Sequence, residues 1–212
     1  MLILLDIDNT LIHTLHKDTI SDKWLRYFDH HILSKECGIM NENLQTGEGN
    51  VVFLRPGLKE FLNYLFHRPD TQVGIFTAGS ASYAEELIHS VFLPLIDQEE
   101  GSSYCFFPIL TLSHFDDCKY QTGGFKDLTY VCDKFPELRL KKEEILIIDD
   151  LILVKMTNEE QCYKIYPFQV AKEIRSRIER QILSEDQKDK LFISSSIDDM
   201  ELKRCQNYLE GI

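Results

Sequence analysis

The sequence predicts an α/β protein: a doubly wound parallel sheet with helices on both faces and a small insertion after the first strand. Two observations carry that expectation. Short apolar runs containing β-branched residues recur at residues 2–5, 51–54, 73–76 and 145–148, and runs this short suit buried strands better than helices. Helical periods lie between them, and strands that alternate with helices imply parallel crossovers.

Each element has its own local reason. The first apolar run ends abruptly at Asp6 and Asp8. Residues 13–50 are polar and irregular, with Trp24, Tyr27 and Phe28 near a possible short helix and a Gly-containing turn at residues 46–50, so they read as the insertion, with the aromatics as its own small core. Leu58, Phe61, Leu62 and Leu65 follow Pro56-Gly57 at i, i+3, i+4, i+7, a helix with one apolar face. Residues 81–91 read as a second helix entered through Gly79-Ser80, and Phe106, Phe107 and Pro108 as a strand end. Residues 126–135 read as a third helix, stopped by Pro136. In residues 169–212, Ala171, Ile174, Ile178 and Ile182 form an apolar stripe, and Arg175, Arg177 and Arg180 a solvated face mixed with acids, so the segment reads as helices packed on the sheet.

Composition bounds the function. A chain of 212 residues with 43% hydrophobic and 27% charged residues can bury a core, and is expected to form one domain over its whole length. A formal charge of −12 argues against a nucleic-acid partner, whose phosphates call for a basic face. No apolar run approaches the roughly 20 residues of a membrane helix. The apolar start is cut off by Asp6 too early for a secretory signal, so the expected place of action is cytoplasmic or nuclear. Six cysteines are scattered without a CxxC pair, which suits reduced thiols. His13 and His16, and His30 and His31, lack a cysteine partner at metal-ligand spacing.

The chemistry is expected at the carboxyl ends of the strands, where doubly wound sheets bind ligands. Asp6 and Asp8 end an apolar strand one residue apart, and two such carboxylates repel unless a cation lies between them; Mg²⁺ takes oxygen ligands of this kind. By themselves they could equally cap the segment that follows. Asp149 and Asp150 end a second apolar run in the same way. Thr77, beside Ala78 and Gly79, offers a hydroxyl and backbone amides to a phosphate, and Lys126 offers a cation at the opening of a helix. In this order, these are the parts of Mg²⁺-assisted phosphoryl transfer.

With these motifs the chain resembles the haloacid dehalogenase superfamily of aspartate-nucleophile phosphatases. More narrowly it is similar to the small C-terminal-domain phosphatases of the NLI-interacting-factor-like branch, which act on phosphoserine in the tail of RNA polymerase II. The resemblance is carried by residues 4–13 around Asp6, Asp8 and Thr10, by Arg55-Pro56-Gly57, Phe76-Thr77-Ala78, Tyr83-Ala84, Lys126-Asp127-Leu128, Ile148-Asp149-Asp150, and the closing segment Asp198 to Leu202.

Carried over, the resemblance implies a haloacid dehalogenase-like fold with no large cap and the following roles. Asp6 is the nucleophile that becomes an aspartyl phosphate. Asp8 is the acid that protonates the leaving oxygen and then the base that deprotonates water. Asp6, the Asp8 carbonyl and Asp150 hold Mg²⁺. Thr77, Ala78, Lys126 and Thr10 hold the phosphoryl oxygens, and Asp149 orients Lys126. The implied partner is a phosphorylated protein or peptide. A small-molecule phosphomonoesterase, a phosphotransferase or mutase, and a catalytically silent binding module are the alternatives; the last predicts a lost nucleophile, acid or lysine, and all three are present.

The chain departs from the pattern at three places. Asn9 stands where the small phosphatases commonly have Glu, and Leu151-Ile152 replaces Ser-Pro after the last acids. The family's arginine upstream of the lysine is missing, since residues 69–138 contain none; His114 and Lys119 are the candidates to stand in for it.

Overall fold

β-Strands that are apolar on both faces have to be covered on both faces, and this chain does so. The computed structural model describes residues 1–16, 30–32, 50–99, 101–122, 126–151, 160–169 and 199–212. Five strands form a parallel sheet: β1 (Leu2–Leu5), β5 (Gln72–Phe76), β6 (Ile109–Leu110), β7 (Ile145–Asp149) and β8 (Cys162–Lys164), in the order β6-β5-β1-β7-β8. The central strand β1 is wholly buried, and its side chains alternate between two hydrophobic clusters. Ile3 and Leu5 join the side that holds the helices α1 (Leu58–His67), α2 (Ala81–Leu87) and α6 (Glu201–Glu210). Leu2 and Leu4 join the side of α4 (Leu112–Thr122) and α5 (Leu128–Lys134). The doubly wound architecture expected from the sequence is therefore present, with helices on both faces.

The helix α1 buries Leu58, Phe61, Leu62 and Leu65, the face its periodicity predicts, and enters through Gly57 at a positive φ of 79°. Ser80 caps α2 by accepting a hydrogen bond from the Tyr83 amide at 3.3 Å. That helix widens into a π turn over Ile88–Phe92 and ends in the short α3 (Leu93–Leu95), where Pro94 has no N–H to continue the ladder.

The sequence reading needs correction at several points. The run 51–54 is not a strand of the parallel sheet. It lies in β4 (Asn50–Leu54), between β2 (Ile12–His16) and β3 (His30–Ile32), in a separate antiparallel sheet of order β2-β4-β3. The insertion is thus partly strand rather than irregular throughout. An apolar run shows that a strand is buried but not which partner buries it. Lys126 does not open a helix: α5 begins at Leu128, and Asp127 is its cap, accepting from the Thr129 amide at 2.8 Å. The strand end expected at 106–108 lies just before β6 rather than in a strand, and the sequence pattern announces neither α4 nor β8. The aromatics at 24–28, residues 123–125, the stripe at 171–182 and Asp198 lie outside the described residues.

Gly74 on β5 shows how tightly the sheet is packed. A Cβ there would lie 2.6 Å from the Pro108 carbonyl oxygen and 2.9 Å from Leu4 Cδ2. Gly74→Ala is expected to destabilise the fold by about 1–3 kcal/mol through overpacking, read as a lower urea midpoint with an unchanged m-value.

Candidate active site

The site begins where β1 stops. The Asp6 amide donates to the Ile148 carbonyl at 3.0 Å, carrying the β1–β7 pairing one residue further and setting Asp6 beside Asp149. The chain then folds back on itself: the amides of Thr10, Leu11 and Ile12 all donate to the Ile7 carbonyl. Asn9 takes a left-handed φ of 61°, a conformation that asparagine tolerates better than most residues. This turn brings Thr10, fully buried, back under Asp6, and its hydroxyl donates to Asp6 Oδ2 at 3.1 Å while accepting from the Asp150 amide at 3.1 Å.

Lys126 joins the two strand ends. Its Nζ donates to Asp6 Oδ1 at 2.8 Å and to Asp149 Oδ2 at 2.7 Å, and the residue is 1% exposed. Asp149 spends its other oxygen on the Leu151 amide at 2.8 Å. Burial works to lower the Lys126 pKa, but Asp6 and Asp149 outweigh it and hold it above the ordinary lysine value. Burial likewise pushes Asp6 up to about 7, with Lys126 opposing and Asp149 adding to the rise. Two carboxylates on one ammonium keep the lysine protonated, while burial and the neighbouring Asp149 press Asp6 to take a proton. Asp150 is also raised, by burial and then by Asp149.

Carboxylate oxygens of Asp6, Asp149 and Asp150 lie within 4.8 Å of one another. A buried, all-oxygen set with surplus negative charge fits a hard divalent cation such as Mg²⁺. Asp6 and Asp149 each have both oxygens on protein donors, Lys126 and Thr10 for the first and Lys126 and the Leu151 amide for the second, so an ion held here would share oxygens that already accept hydrogen bonds.

Asp6, Thr10, Lys126, Asp149 and Asp150 are therefore brought together. Asp8 is turned elsewhere: its Oδ1 accepts from the Tyr83 hydroxyl at 2.7 Å, and burial raises its pKa although that hydrogen bond and Lys126 oppose the rise. Thr77 is buried at the end of β5, its hydroxyl accepting from the Gly79 amide at 3.1 Å, and Ala78 beside it is exposed. His114 does not replace the missing arginine as a cation. Its Nδ1 accepts from the Thr111 amide at 3.2 Å, and burial and Lys134 lower its pKa, which keeps the ring neutral near pH 7. Lys119 is exposed on α4.

Sequence reasoning assigned no role to Arg55, whose side chain is fully buried. Its NH1 donates to the Thr10 carbonyl at 2.8 Å, its NH2 to the Tyr166 carbonyl at 2.5 Å, and its Nε to Asp199 Oδ2 at 3.1 Å. The ring of Phe168 lies 5.7 Å from the guanidinium carbon, and the Phe168 amide donates to the Asn9 carbonyl at 2.6 Å. One side chain thus ties the turn after β1 to the exit of β8 and the start of α6. The signal was a cation closing an apolar run, a place where burial demands partners.

The whole chain, residues 1–212, matches the family described as NLI interacting factor-like phosphatase. The chain belongs to that family. Among the relatives of this NLI interacting factor-like phosphatase is a CTD phosphatase-like protein, 355R, of Invertebrate iridescent virus 3, 31% identical over 172 residues that cover 79% of this chain and 83% of the viral one. Its counterpart in Invertebrate iridescent virus 6 is 29% identical over 166 residues, covering 78% and 85%. Among solved structures, the fission yeast RNA polymerase II CTD phosphatase Fcp1, an arginine-to-alanine variant bound to beryllium fluoride, superposes with a TM-score of 0.59 at 16% identity. A second structure of Fcp1, an essential RNA polymerase II CTD phosphatase, gives a TM-score of 0.57 at 19% identity. Both cover 99% of this chain, which spans only 61% of theirs. At such identity the likeness establishes the fold, the haloacid dehalogenase-like sheet expected above; the described residues carry no large cap.

Proposed function

We propose that this chain is a Mg²⁺-dependent protein phosphatase that hydrolyses phosphoserine or phosphothreonine through an aspartyl phosphate on Asp6. The observation that carries the reading is the Asp6 carboxylate, 8% exposed, with one oxygen on Lys126 at 2.8 Å and the other on Thr10 at 3.1 Å. A carboxylate so held is fixed in direction but is a poor nucleophile toward an anionic ester, because like charges repel. Mg²⁺ held by Asp6, the Asp8 carbonyl and Asp150 would supply the Lewis acid that offsets this repulsion.

In the first step an Asp6 oxygen forms a bond to phosphorus as the bond to the seryl oxygen breaks, and Asp8 gives that oxygen its proton. In the second, Asp8 takes a proton from water as the water oxygen attacks phosphorus and releases Asp6. Lys126, Thr77 and Ala78 steady the phosphoryl oxygens in both steps, Thr10, whose one hydroxyl proton is given to Asp6, holds the nucleophile, and Asp149 aims Lys126. Asp8 works as an acid near neutrality only if its pKa lies above the usual carboxylate range, and its burial acts in that direction. Asp8→Asn is expected to cut turnover on the order of 10²- to 10⁴-fold.

Three features favour a phosphoprotein over a metabolite and over a silent module. No large cap is formed by the described residues to enclose a small ligand. The viral relatives are named for likeness to CTD phosphatases. Nucleophile, acid and lysine are all in place. Residues 1–212 would act as one unit, on protein substrates rather than nucleic acid or membrane, in the cytoplasm or nucleus. Five cysteines among the described residues stand outside any disulfide, as such a reducing compartment allows, and no helix among those residues is long and apolar enough to cross a membrane.

The test is phosphate release from a phosphoserine peptide and from sugar phosphates, each with Mg²⁺ or EDTA. Mg²⁺-dependent release favouring the peptide is expected. Preference for the sugar phosphates would overturn the substrate class, and no release by a folded protein would overturn the activity.

A further inference from the structure

Three elements converge on the Asp8 carboxylate. The turn after β1 carries it, α2 carries Tyr83, and β2 carries Thr14. Tyr83 is 4% exposed, and its hydroxyl donates to Asp8 Oδ1 at 2.7 Å. The same phenolic oxygen lies 3.0 Å from Thr14 Oγ1. Because the phenol's single proton is committed to Asp8, Thr14 is the donor in that second bond, and donation into the phenol oxygen strengthens the phenol as a donor in turn. Gly79 makes room for the ring: a Cβ there would lie 2.8 Å from Tyr83 Cδ1.

We infer that Tyr83, steadied by Thr14, is a positioning residue for the acid step, occupying Asp8 Oδ1 so that the transferable proton resides on Oδ2. The inference rests on the proposed function, with Asp8 as the acid. A protonated carboxyl has two oxygens on which to carry its hydrogen and a free χ2 rotation; the phenol removes both freedoms. As the seryl P–O bond breaks and the Asp6–P bond forms, the proton on Oδ2 moves to the seryl oxygen, and Asp8 is left as a carboxylate that still accepts from Tyr83. The antiparallel sheet, through Thr14, therefore takes part in aiming the acid.

A purely structural tyrosine would serve all substrates alike, whereas an acid-positioning one serves those that need a proton. A seryl oxygen needs one on departure; p-nitrophenolate does not. The experiment is kcat/KM, which reads the steps up to loss of the leaving group, for a phosphoserine peptide and for p-nitrophenyl phosphate, with parent, Tyr83→Phe and Thr14→Val. Tyr83→Phe is expected to lose about 10- to 100-fold on the peptide, the scale of a mispositioned catalytic group, and to stay within about 3-fold of parent on p-nitrophenyl phosphate. Thr14→Val should show a smaller loss with the same selectivity. An equal loss on both substrates, or no loss on either, with an active parent, overturns the positioning role alone. A parent inactive on both substrates overturns the proposed function, and this inference with it.

Discussion

Asp6→Asn is expected to abolish phosphate release and, in metal-free protein, to raise stability at neutral and alkaline pH. The first effect follows from removing the oxygen anion that Lys126 and Thr10 both align. The second follows from burial, which lifts the Asp6 pKa from 3.8 to about 7. Below the unfolded value the carboxyl is neutral in both states and costs the fold nothing. As pH rises from there, the unfolded chain releases the proton freely while the folded chain holds it, and stability drains away until the folded group also ionises. Each unit of that lift corresponds to about 1.4 kcal/mol. Asparagine keeps the shape without the charge, and Lys126 retains Asp149. Thermal melts in EDTA should show parent and variant nearly equal at pH 3.5 and the variant higher at pH 8. A variant that melts lower at pH 8, or one that still turns over, contradicts this account. Carrying a residue that weakens the fold it lies in is the trade expected of a working site.

Arg55→Ala is expected to be the most damaging single change away from the reacting atoms, costing about 3–5 kcal/mol, the range for removing one partner of a buried ion pair. The guanidinium satisfies the Thr10 and Tyr166 carbonyls and the Asp199 carboxylate at once. Without it the buried Thr10 carbonyl loses its donor and the half-buried Asp199 carboxylate its cation, and the start of α6 loses its tie to the turn after β1. Arg55→Lys should recover only part of the loss, since one ammonium cannot span acceptors on three segments as a planar fork does. Urea unfolding gives the magnitude. Hydrogen exchange gives the location: amides of Glu201–Glu210 should lose protection in Arg55→Ala before those of β1. Uniform protection, or a loss below about 1 kcal/mol, would mean that α6 is held by its apolar face alone.

Much of this was legible in the sequence because its causes are local. β1, β5 and β7 announce themselves as apolar runs buried on both sides, and α1 by its period. Asp6, Thr10, Asp149 and Asp150 could be grouped because strands β1 and β7 end side by side, with Leu5 opposite Ile148. Lys126 meets Asp6 and Asp149, but not from a helix, since the sequence signal of a cap belongs to the next residue, Asp127. What stayed hidden depends on distant partners. Ile12–His16 looks like a polar stretch until Asn50–Leu54 pairs with it. Tyr83 looks like an ordinary member of an amphipathic helix until its hydroxyl finds Asp8, 75 positions away. β8 is three residues long, too short for any pattern to register.

The root of the insertion has a consequence for how such a protein can diversify. The chain leaves the core at Leu11 and re-enters at Arg55, and at that point the Arg55 amide donates to the Leu11 carbonyl at 3.0 Å, with Ile12 opposite Leu54 just above. Departure and return are thus stitched together at the base like the stem of a graft. Beyond the paired strands, the length of chain between the two ends of that stem can change without pulling on Asp6.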